Sequence, residues 1–484
     1  MQACDLTASE ARRKIGTKEL SPVELLESCL SRVEKVNPPV NGVVAIAYEA
    51  ARTRAKEAEA RVLEGAPLPP LHGLPVGIKD LVETKDLTTT FGSEMFRHNV
   101  PEADEALVAN LRDKGANIFA KTNTPEHGAG GNTFNPVYGV SGNPFEPSRT
   151  CGGSSGGSAI ALATGMMPLA HGSDNAGSLR IPASYCGVVG MRPTAGVVAS
   201  DKRSIGTTHF PVQGPMARTA EDALMMLKAM ATSDPRDPLA SLVDWSLDRP
   251  VDISALKIAI SEDLGFAPIE DDLRGTFRER LGAFGSVFRS VDQAHPDMGN
   301  VQHVYEVLRA SHYIGMYAEK ERERPGQWGR LVAQNLEHAS RFSIRDVGLA
   351  LAEQTEIYRR AQAFFQEFDI LITPTVGVSP WPKHEVYPAT VNGRPMANYF
   401  EYVGLTYAIT LLNHPAISIP CGVDRHGLPF GIQLVGRRNE DLKLLHIACA
   451  VEQVLAESPH TRRPVPDVEA LEKNTVRDEM EPVV

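Results

Sequence analysis

Short apolar runs alternate with helical patterns along most of this 484-residue chain. A short apolar run bounded by turn residues is typical of a buried strand, and a 3.6-residue apolar period is typical of a helix that faces a core. Their alternation predicts an α/β protein with a mixed, largely parallel central β-sheet covered by helices on both faces. The predicted strands lie at residues 76–82, 116–122, 187–194, 256–262, 369–375, 416–422 and 430–436, and the predicted helices at 21–35, 46–64, 104–115, 219–232, 301–322, 348–368 and 439–456.

The charge and cysteine content limit the class of partner and the compartment. The net charge is −11 and no block of basic residues occurs, which argues against nucleic acid or an anionic membrane as a partner. A small neutral or cationic molecule fits better. No apolar run resembles a secretory signal or a membrane span, and the six cysteines form no CxxC pair. We therefore expect a cytoplasmic protein with reduced thiols.

The most informative segment is a glycine- and serine-rich turn at residues 151–158, followed by a helix of small residues. Glycines let the backbone approach a ligand closely, and N–H groups at a helix start favour negative charge, so the turn suits a phosphate or an oxyanion. It lacks the Gly-Lys-Ser/Thr ending of a nucleotide-binding P-loop. Residues 152–156 also satisfy G-x-S-x-G, so a Ser-His-Asp hydrolase with Ser154 as nucleophile is an alternative, although a proline-containing loop precedes the motif.

A second tight turn ends at Ser178. A short helix joins the two turns, so Ser154 and Ser178 can be brought close in space. Lys79 lies in an otherwise apolar predicted strand, where burial of an unpaired ammonium group is costly. Such a lysine needs partners or a depressed pKa, and a neutral amine could activate the serines without a histidine. For Lys79 considered alone, a salt bridge to Asp80 is the alternative.

Together with several other segments in the same order along the chain, these motifs resemble those of the amidase signature hydrolases. The matching segments are residues 73–80, 120–126, 152–165, 172–194, 369–375 and 414–436. They cover most of the predicted core and leave residues 235–365 poorly matched. The resemblance implies the fold of that family and hydrolysis of a small-molecule amide by water, with carbamates or esters as side substrates and with no metal or cofactor.

Carried over position by position, the resemblance implies Lys79 as base, Ser154 as bridging serine and Ser178 as the nucleophile that forms an acyl-enzyme. It also implies a cis peptide bond between Gly153 and Ser154. Backbone N–H groups beside the nucleophile would hold the developing oxyanion. The implied donors are the N–H groups of Asn175, Ala176, Gly177 and Ser178.

Three further residues are expected to support this site. Ser155 is expected either to cap the following helix or, as the resemblance suggests, to hydrogen-bond the nucleophile. Asp174 and Arg180 are expected to pin the nucleophile turn rather than to bind substrate. The nearby histidines are expected to be core or loop residues, because the implied chemistry needs none of them.

The nucleophile turn departs from the pattern common in the family. Residues 174–178 read Asp-Asn-Ala-Gly-Ser, where most members have Asp-Thr-Gly-Gly-Ser or Asp-Ile-Gly-Gly-Ser. A similar turn in hydrolases of cyclic nylon oligomers and in some aryl-amide degraders favours a xenobiotic or unusual amide. The residues after the nucleophile, Leu-Arg-Ile-Pro, differ from the x-Arg-Gln-Pro of the A subunit of glutamine-dependent tRNA amidotransferase. A stand-alone amidase or carbamate hydrolase is preferred, with a homodimer as the assembly to test. The amidotransferase chain and an inactive binding protein on the same fold remain alternatives.

No internal repeat or low-complexity linker divides the chain, so we expect a single domain over residues 1–484, with a separate domain at about 235–400 as the alternative. The expected parts are N-terminal helices at 1–65, a catalytic core at 66–235, a divergent helical lobe that shapes the substrate pocket at 236–400, a return to the core at 401–462 and a surface tail at 463–484.

Overall fold

The computed structural model describes residues 2–474. Its α-helices are α1 (Ala8–Gly16), α2 (Pro22–Val40), α3 (Tyr48–Leu63), α4 (Ala106–Asp113), α5 (Gly156–Ala163), α6 (Arg180–Cys186), α7 (Ala220–Met230), α8 (Asp271–Phe284), α9 (Val301–Glu323), α10 (Arg330–Ala339), α11 (Ile344–Glu367), α12 (Gly404–Leu411), α13 (Asp441–Ala456) and α14 (Val468–Lys473). Its strands are β1 (Val43–Ile46), β2 (Pro75–Lys79), β3 (Asn117–Thr122), β4 (Phe134–Asn135), β5 (Gly139–Val140), β6 (Leu169–Asp174), β7 (Val189–Arg192), β8 (Val212–Ala217), β9 (Lys257–Ile260), β10 (Ser290–Gln293), β11 (Ile370–Pro374), β12 (Thr390–Val391), β13 (Arg394–Pro395), β14 (Ala416–Val423) and β15 (Pro429–Val435).

Eleven strands form one sheet in the order β1-β3-β2-β6-β8-β7-β14-β15-β11-β9-β10. Parallel pairs form two blocks, β3-β2-β6 and β11-β9-β10. Antiparallel pairs join the two blocks through the middle of the sheet and add β1 at one edge. The predicted α/β class with a mixed central sheet is confirmed, and every predicted strand and helix overlaps an observed element of the same kind.

Neighbouring residues of β3 show why helices cover both faces of the sheet. Ile118 belongs to one core cluster with Leu111 of α4, whereas Phe119 belongs to another with Leu26 of α2 and Ala51 of α3. Successive side chains of a strand point to opposite faces, so an apolar strand is shielded from water only when both faces are packed.

The sequence pattern does not identify β6, although this strand lies inside the sheet between β2 and β8. Its last four residues read His-Gly-Ser-Asp, which lacks the apolar pattern of a buried strand. The polar groups are accommodated because they hydrogen-bond to neighbouring loops and side chains. This strand carries the candidate site.

Two regions differ in detail from the expected parts of the chain. Residues 236–400 contain helices α8–α11, but they also supply β9, β10 and β11, which form one edge of the central sheet. The expected tail is packed where it is described: Leu471 of α14 is buried in the same cluster as α2, because this charged stretch contains an apolar residue to bury. Residues 475–484 lie outside the described residues. Within 2–474, no helix has the length and apolar character that crossing a membrane demands.

Candidate active site

Strands β2 and β6 bring Lys79 and Ser173 together at their carboxyl-terminal ends. The two strands are parallel, with Gly77 paired to Ala170. Lys79 is the last residue of β2, and Ser173 is the penultimate residue of β6. Parallel neighbours in this register end at the same level of the sheet. Lys79 Nζ therefore lies 3.0 Å from Ser173 Oγ and donates a hydrogen bond to it.

Lys79 is fully buried, and its closest partner is a serine rather than a carboxylate. Nζ donates to Ser154 Oγ at 2.7 Å. Burial lowers the pKa of Lys79 to about 7, against the opposing attraction of Asp174. The alternative of a salt bridge to Asp80 does not hold, because Asp80 lies 3.8 Å from Lys121. A lysine with this pKa carries a large neutral fraction at neutral pH and can accept a proton.

The two glycine-rich turns meet at Ser154 and Ser178. The peptide bond between Gly153 and Ser154 is cis, as the resemblance implies. The N–H of Ser155 donates to the carbonyl oxygen of Ser178 at 3.2 Å, which ties the two turns together. Ser154 is 3% exposed, whereas Ser178 is only partly buried. The structure therefore brings Lys79 and Ser154 into contact and ties the backbone of the partly exposed Ser178 to the residue that follows Ser154.

Gly177 fixes the shape of the nucleophile turn. Its φ is +129°, and a Cβ atom there would lie 2.3 Å from Thr406 Oγ1, so only glycine fits. Its N–H donates to Asp174 Oδ1 at 2.8 Å. The Gly177 N–H, expected as an oxyanion donor, is thus already hydrogen-bonded to the Asp174 carboxylate.

The other three expected oxyanion donors, unlike Gly177, have free N–H groups within the described residues. Within the described part of the chain, the backbone N–H groups of Asn175, Ala176 and Ser178 make no hydrogen bond. Unpaired N–H groups beside a partly exposed serine can bind the negative charge that develops on a carbonyl oxygen.

Asp174 holds the turn in place through two buried arginines. Arg180 approaches its carboxylate with Nε at 3.0 Å and Nη2 at 3.1 Å, and Arg192 with Nη1 at 3.2 Å. Burial alone would raise the pKa of Asp174, but the two guanidinium groups outweigh it and hold the pKa at about 2. Arg180 also donates to Gln433 Oε1 of β15 at 2.6 Å. Asp174 and Arg180 therefore pin the turn to the sheet, together with Arg192, which the sequence pattern does not single out.

Ser155 is the N-cap residue of α5, but its side chain makes no capping hydrogen bond and contacts Ser173 rather than the nucleophile. Its Oγ donates to the carbonyl oxygen of Ser173 and accepts from the N–H of Ser173, both at 3.2 Å. Ser155 thus joins the Ser154 loop to β6 and helps to position Ser173, the second partner of Lys79. Sequence reasoning missed Ser173; its place directly before Asp174 in the nucleophile turn was the available signal.

No histidine hydrogen-bonds Ser154 within residues 2–474, which argues against the Ser-His-Asp alternative. His171, the histidine of β6, lies within 2.8 Å of Gln213 through Nε2. Burial lowers its pKa to about 3, so it is neutral. His127 packs among aromatic rings, with its ring centroid 5.1 Å from that of Trp328. Both are core or loop histidines, as expected.

Two adjoining cavities open onto the site. The larger, about 420 Å³, is bordered by Ser154 and Ser173, and the smaller, about 50 Å³, by Ser178 and Ala176. Asn175 borders both cavities and so lies at their junction. The aromatic and histidine side chains on the larger cavity are Phe91, Phe96, His127, His312, Tyr313, Tyr317 and Trp328. A bond held at the junction would have one substituent in each cavity.

Known proteins are similar in sequence to this chain over nearly its whole length. A family profile described as Amidase matches residues 24–445. An acylamidase from Rhodococcus erythropolis is 33% identical over 93% of this chain and 95% of its own length. The A subunit of a glutamyl-tRNA(Gln) amidotransferase from Geobacillus thermodenitrificans (strain NG80-2) is 30% identical over 96% of this chain and all of its own length, 100%.

The fold is shared as well. The crystal structure of a bacterial aryl acylamidase belonging to the amidase signature enzymes superposes with a TM-score of 0.85 at 23% identity, over 98% of this chain and 99% of the other. Fold and sequence point to the same group of proteins. The chain therefore belongs to the Amidase family, the amidase signature enzymes, and is an amide hydrolase.

Proposed function

We propose that this amidase cleaves a small-molecule amide through an acyl-enzyme on Ser178, with Ser154 as proton relay and Lys79 as base. The observation that carries the proposal is the buried contact of 2.7 Å between Lys79 Nζ and Ser154 Oγ. A buried lysine with a pKa of about 7 is suited to take a proton and return it at neutral pH.

Acylation proceeds by proton transfer along this chain. Neutral Lys79 accepts the Ser154 hydroxyl proton, Ser154 accepts the Ser178 proton, and Ser178 Oγ forms a bond to the amide carbonyl carbon. As the C–N bond breaks, the nitrogen takes a proton from Ser154, which recovers one from the Lys79 ammonium group. Water then follows the same route to release the acid. The N–H groups of Asn175, Ala176 and Ser178 would hold the oxyanion, with a contribution of about 3 kcal/mol per donor.

The cellular setting belongs to the proposal as well. All six cysteines are free thiols and five of them are buried, which supports a reducing cytoplasm. The homodimer and the xenobiotic amide remain predictions, the second supported by the Asp-Asn-Ala-Gly-Ser turn. Size-exclusion chromatography with light scattering would measure the first. A screen of aryl, aliphatic and cyclic amides, carbamates and esters would address the second.

A second candidate function is that of the A subunit of a glutamine-dependent amidotransferase. Its support is the 30% identity to such a protein over nearly all of both chains. The stand-alone hydrolase is preferred because the first-named relative, an acylamidase, is 33% identical and because Ile181 replaces the glutamine usual after the arginine. Glutaminase activity that appears only with a co-purified partner chain would reverse this preference.

A fluorophosphonate probe tests the nucleophile directly. The probe should attach covalently to Ser178 in the wild type, and Ser178→Ala should abolish the attachment. Ser158→Ala is the matched control, because Ser158 is a buried serine in the first turn of α5 whose hydroxyl donates to His171 O and makes no contact with Lys79. Labelling of Ser154 instead would support the Ser-His-Asp alternative, and absence of labelling would support an inactive binding protein.

A further inference from the structure

Glu105 is a buried carboxylate without a cation partner. It is the N-cap residue of α4 and is 7% exposed. Its Oε1 accepts a hydrogen bond from the N–H of Glu83 at 2.7 Å, and its Oε2 makes no hydrogen bond within residues 2–474. No basic side chain of that range lies in ion-pair distance of it, and Lys121, whose charge acts on it, is paired with Asp80 at 3.8 Å. Most buried charges in proteins are paired, so Glu105 lacks the usual counter-ion.

The surroundings of Glu105 hold its carboxyl group between its two protonation states. Burial raises its pKa to about 7, and the hydrogen bond from Glu83 opposes that rise only in part. The carboxylate of Asp201 raises the pKa further. A cation placed beside Glu105 would favour the ionised form and form an ion pair with little competition from water.

Glu105 borders the 420 Å³ cavity that Ser154 also borders. The other two carboxylates on this cavity are already paired, Glu83 with Lys202 at 3.4 Å and Asp174 with its two arginines. Among the described residues, Glu105 is therefore the carboxylate of the cavity that can accept a cation from a ligand.

The basic side chains on the same cavity have contacts of their own. Lys202 contacts Glu83, as described above, and Arg203 contacts Asp237 at 2.9 Å. Lys320 lies over the rings of Tyr317 and Trp328, with its amine 5.5 Å from each centroid.

The rings of Tyr317 and Trp328 belong to the cavity wall, and aromatic faces attract cations. This cavity therefore suits a ligand group that is apolar along its length and carries a positive charge at its end.

The geometry of proton transfer assigns one half of the substrate to each cavity. The departing nitrogen must reach the proton on Ser154, and Ser154 borders the larger cavity but not the smaller one. The amine half of the substrate therefore occupies the larger cavity. The acyl group, bonded to Ser178 in the intermediate, occupies the smaller cavity of about 50 Å³, which has room for a short acyl group such as acetyl.

We infer that the larger cavity is a subsite for an amine half that ends in an ammonium group, held by Glu105. The substrates would be mono-acylated α,ω-diamines, which water splits into the acid and the free diamine. This inference rests on the proposed nucleophile, Ser178. The overall charge of −11 acts in the same direction, because it attracts cations from solution.

Protection of Ser178 from a fluorophosphonate probe tests the subsite with the wild-type enzyme. Acetamides whose nitrogen carries a three-, four- or five-carbon chain ending in an ammonium group are each compared with the acetamide whose chain ends in a methyl group instead. At least one ammonium compound should halve the labelling rate at a concentration tenfold or more below that of its methyl counterpart. Equal or better protection by every methyl compound, or no protection by any compound, overturns the inference and leaves the nucleophile intact. Failure to label Ser178 at all overturns the proposed function instead.

Variants assign the preference to Glu105. Glu105→Gln keeps an oxygen that can accept from the N–H of Glu83, so the fold should be retained, and the preference for the ammonium compound should fall below about twofold. The matched control is Glu64→Gln, which removes the same charge from an exposed position outside the cavity and should leave the preference unchanged. A preference that survives Glu105→Gln places the cation elsewhere and contradicts the subsite. An equal loss of protection by both compounds of a pair would show a structural change and contradicts it as well.

Discussion

The amine of Lys79 and the hydroxyl oxygen of Ser154 lie 2.7 Å apart in the interior of the protein, although 75 positions separate them in the chain. The lysine comes from the end of a sheet strand and the serine from the loop before α5. Because the pair is shielded from water, the pKa of Lys79 depends on burial and on neighbouring groups of the protein.

Replacement of either proposed catalytic serine should abolish turnover. Ser178→Ala removes the attacking oxygen and Ser154→Ala breaks the proton path, so each should lower kcat on the order of a thousandfold or more. Ser158→Ala, as the control, should retain activity within a few-fold, since Ser158 Oγ contacts Thr122 and His171 O instead. Steady-state kinetics on an amide that the wild type hydrolyses gives the answer. Comparable losses for all three would indicate a purely structural effect.

Lys79 and Lys121 are buried in adjacent strands, so replacing each in turn distinguishes a loss of catalysis from a loss of stability. Lys79→Met should lower kcat about a thousandfold while the protein remains folded, because a buried amine is replaced by an apolar chain of similar length. Lys121→Met should instead retain most of the activity per folded molecule. It should lower the free energy of unfolding by about 3 kcal/mol, because Asp80 loses its buried partner.

Kinetics and urea unfolding of both lysine variants provide the measurements. If Lys79→Met turns over at the wild-type rate, lysine has no part in the mechanism. If Lys121→Met alone is inactive while folded, the base has been assigned to the wrong lysine.

The activity should rise with pH through about 7. Burial lowers the pKa of Lys79, and the neutral amine is the active form, so kcat/KM should fall tenfold for each unit of pH below about 7 and level off above it. Removal of a hydrogen-bond acceptor disfavours the charged form, so Ser173→Ala should move this limb to lower pH by about half a unit. A profile that is flat from pH 5 to about 9, or a limb unmoved by Ser173→Ala, would contradict these assignments.

The buried arginine at the nucleophile turn should matter far more for stability than an exposed one. Arg180→Met leaves Asp174 with one guanidinium partner, so it should lower the free energy of unfolding by about 3–5 kcal/mol and disturb the turn. In the exposed pair of Arg322 with Glu319, Arg322→Met should cost less than about 1 kcal/mol. Denaturant unfolding of both variants measures the difference.

The same turn predicts a stability change in acid. The pKa of Asp174 is held at about 2, below its ordinary value of 3.8, so its ion pairs stabilise the fold above pH 4. That contribution is lost as the pH falls from about 4 towards 2. In Arg180→Met this acid limb should be smaller than in the wild type. Equal acid limbs would show that Arg180 does not control the carboxylate.

The sequence by itself determined the fold class, the family and the turns that carry Ser154 and Ser178. It could do so because apolar periodicity reports burial, and because tight turns demand glycine at fixed positions, as at Gly177. The order of these local patterns was enough to identify the family, whose fold then implied which lysine lies near the serines.

Tertiary structure decided what depends on contacts between distant segments. Strand β6 is buried despite its polar sequence, because its polar groups find hydrogen-bond partners in α5 and β8. The same packing supplies Ser173 to Lys79, joins Arg192 to Asp174 and engages the Gly177 N–H. The pKa of a lysine and the shape of a cavity depend on the side chains that exclude water, and those come together only when the whole sheet has formed.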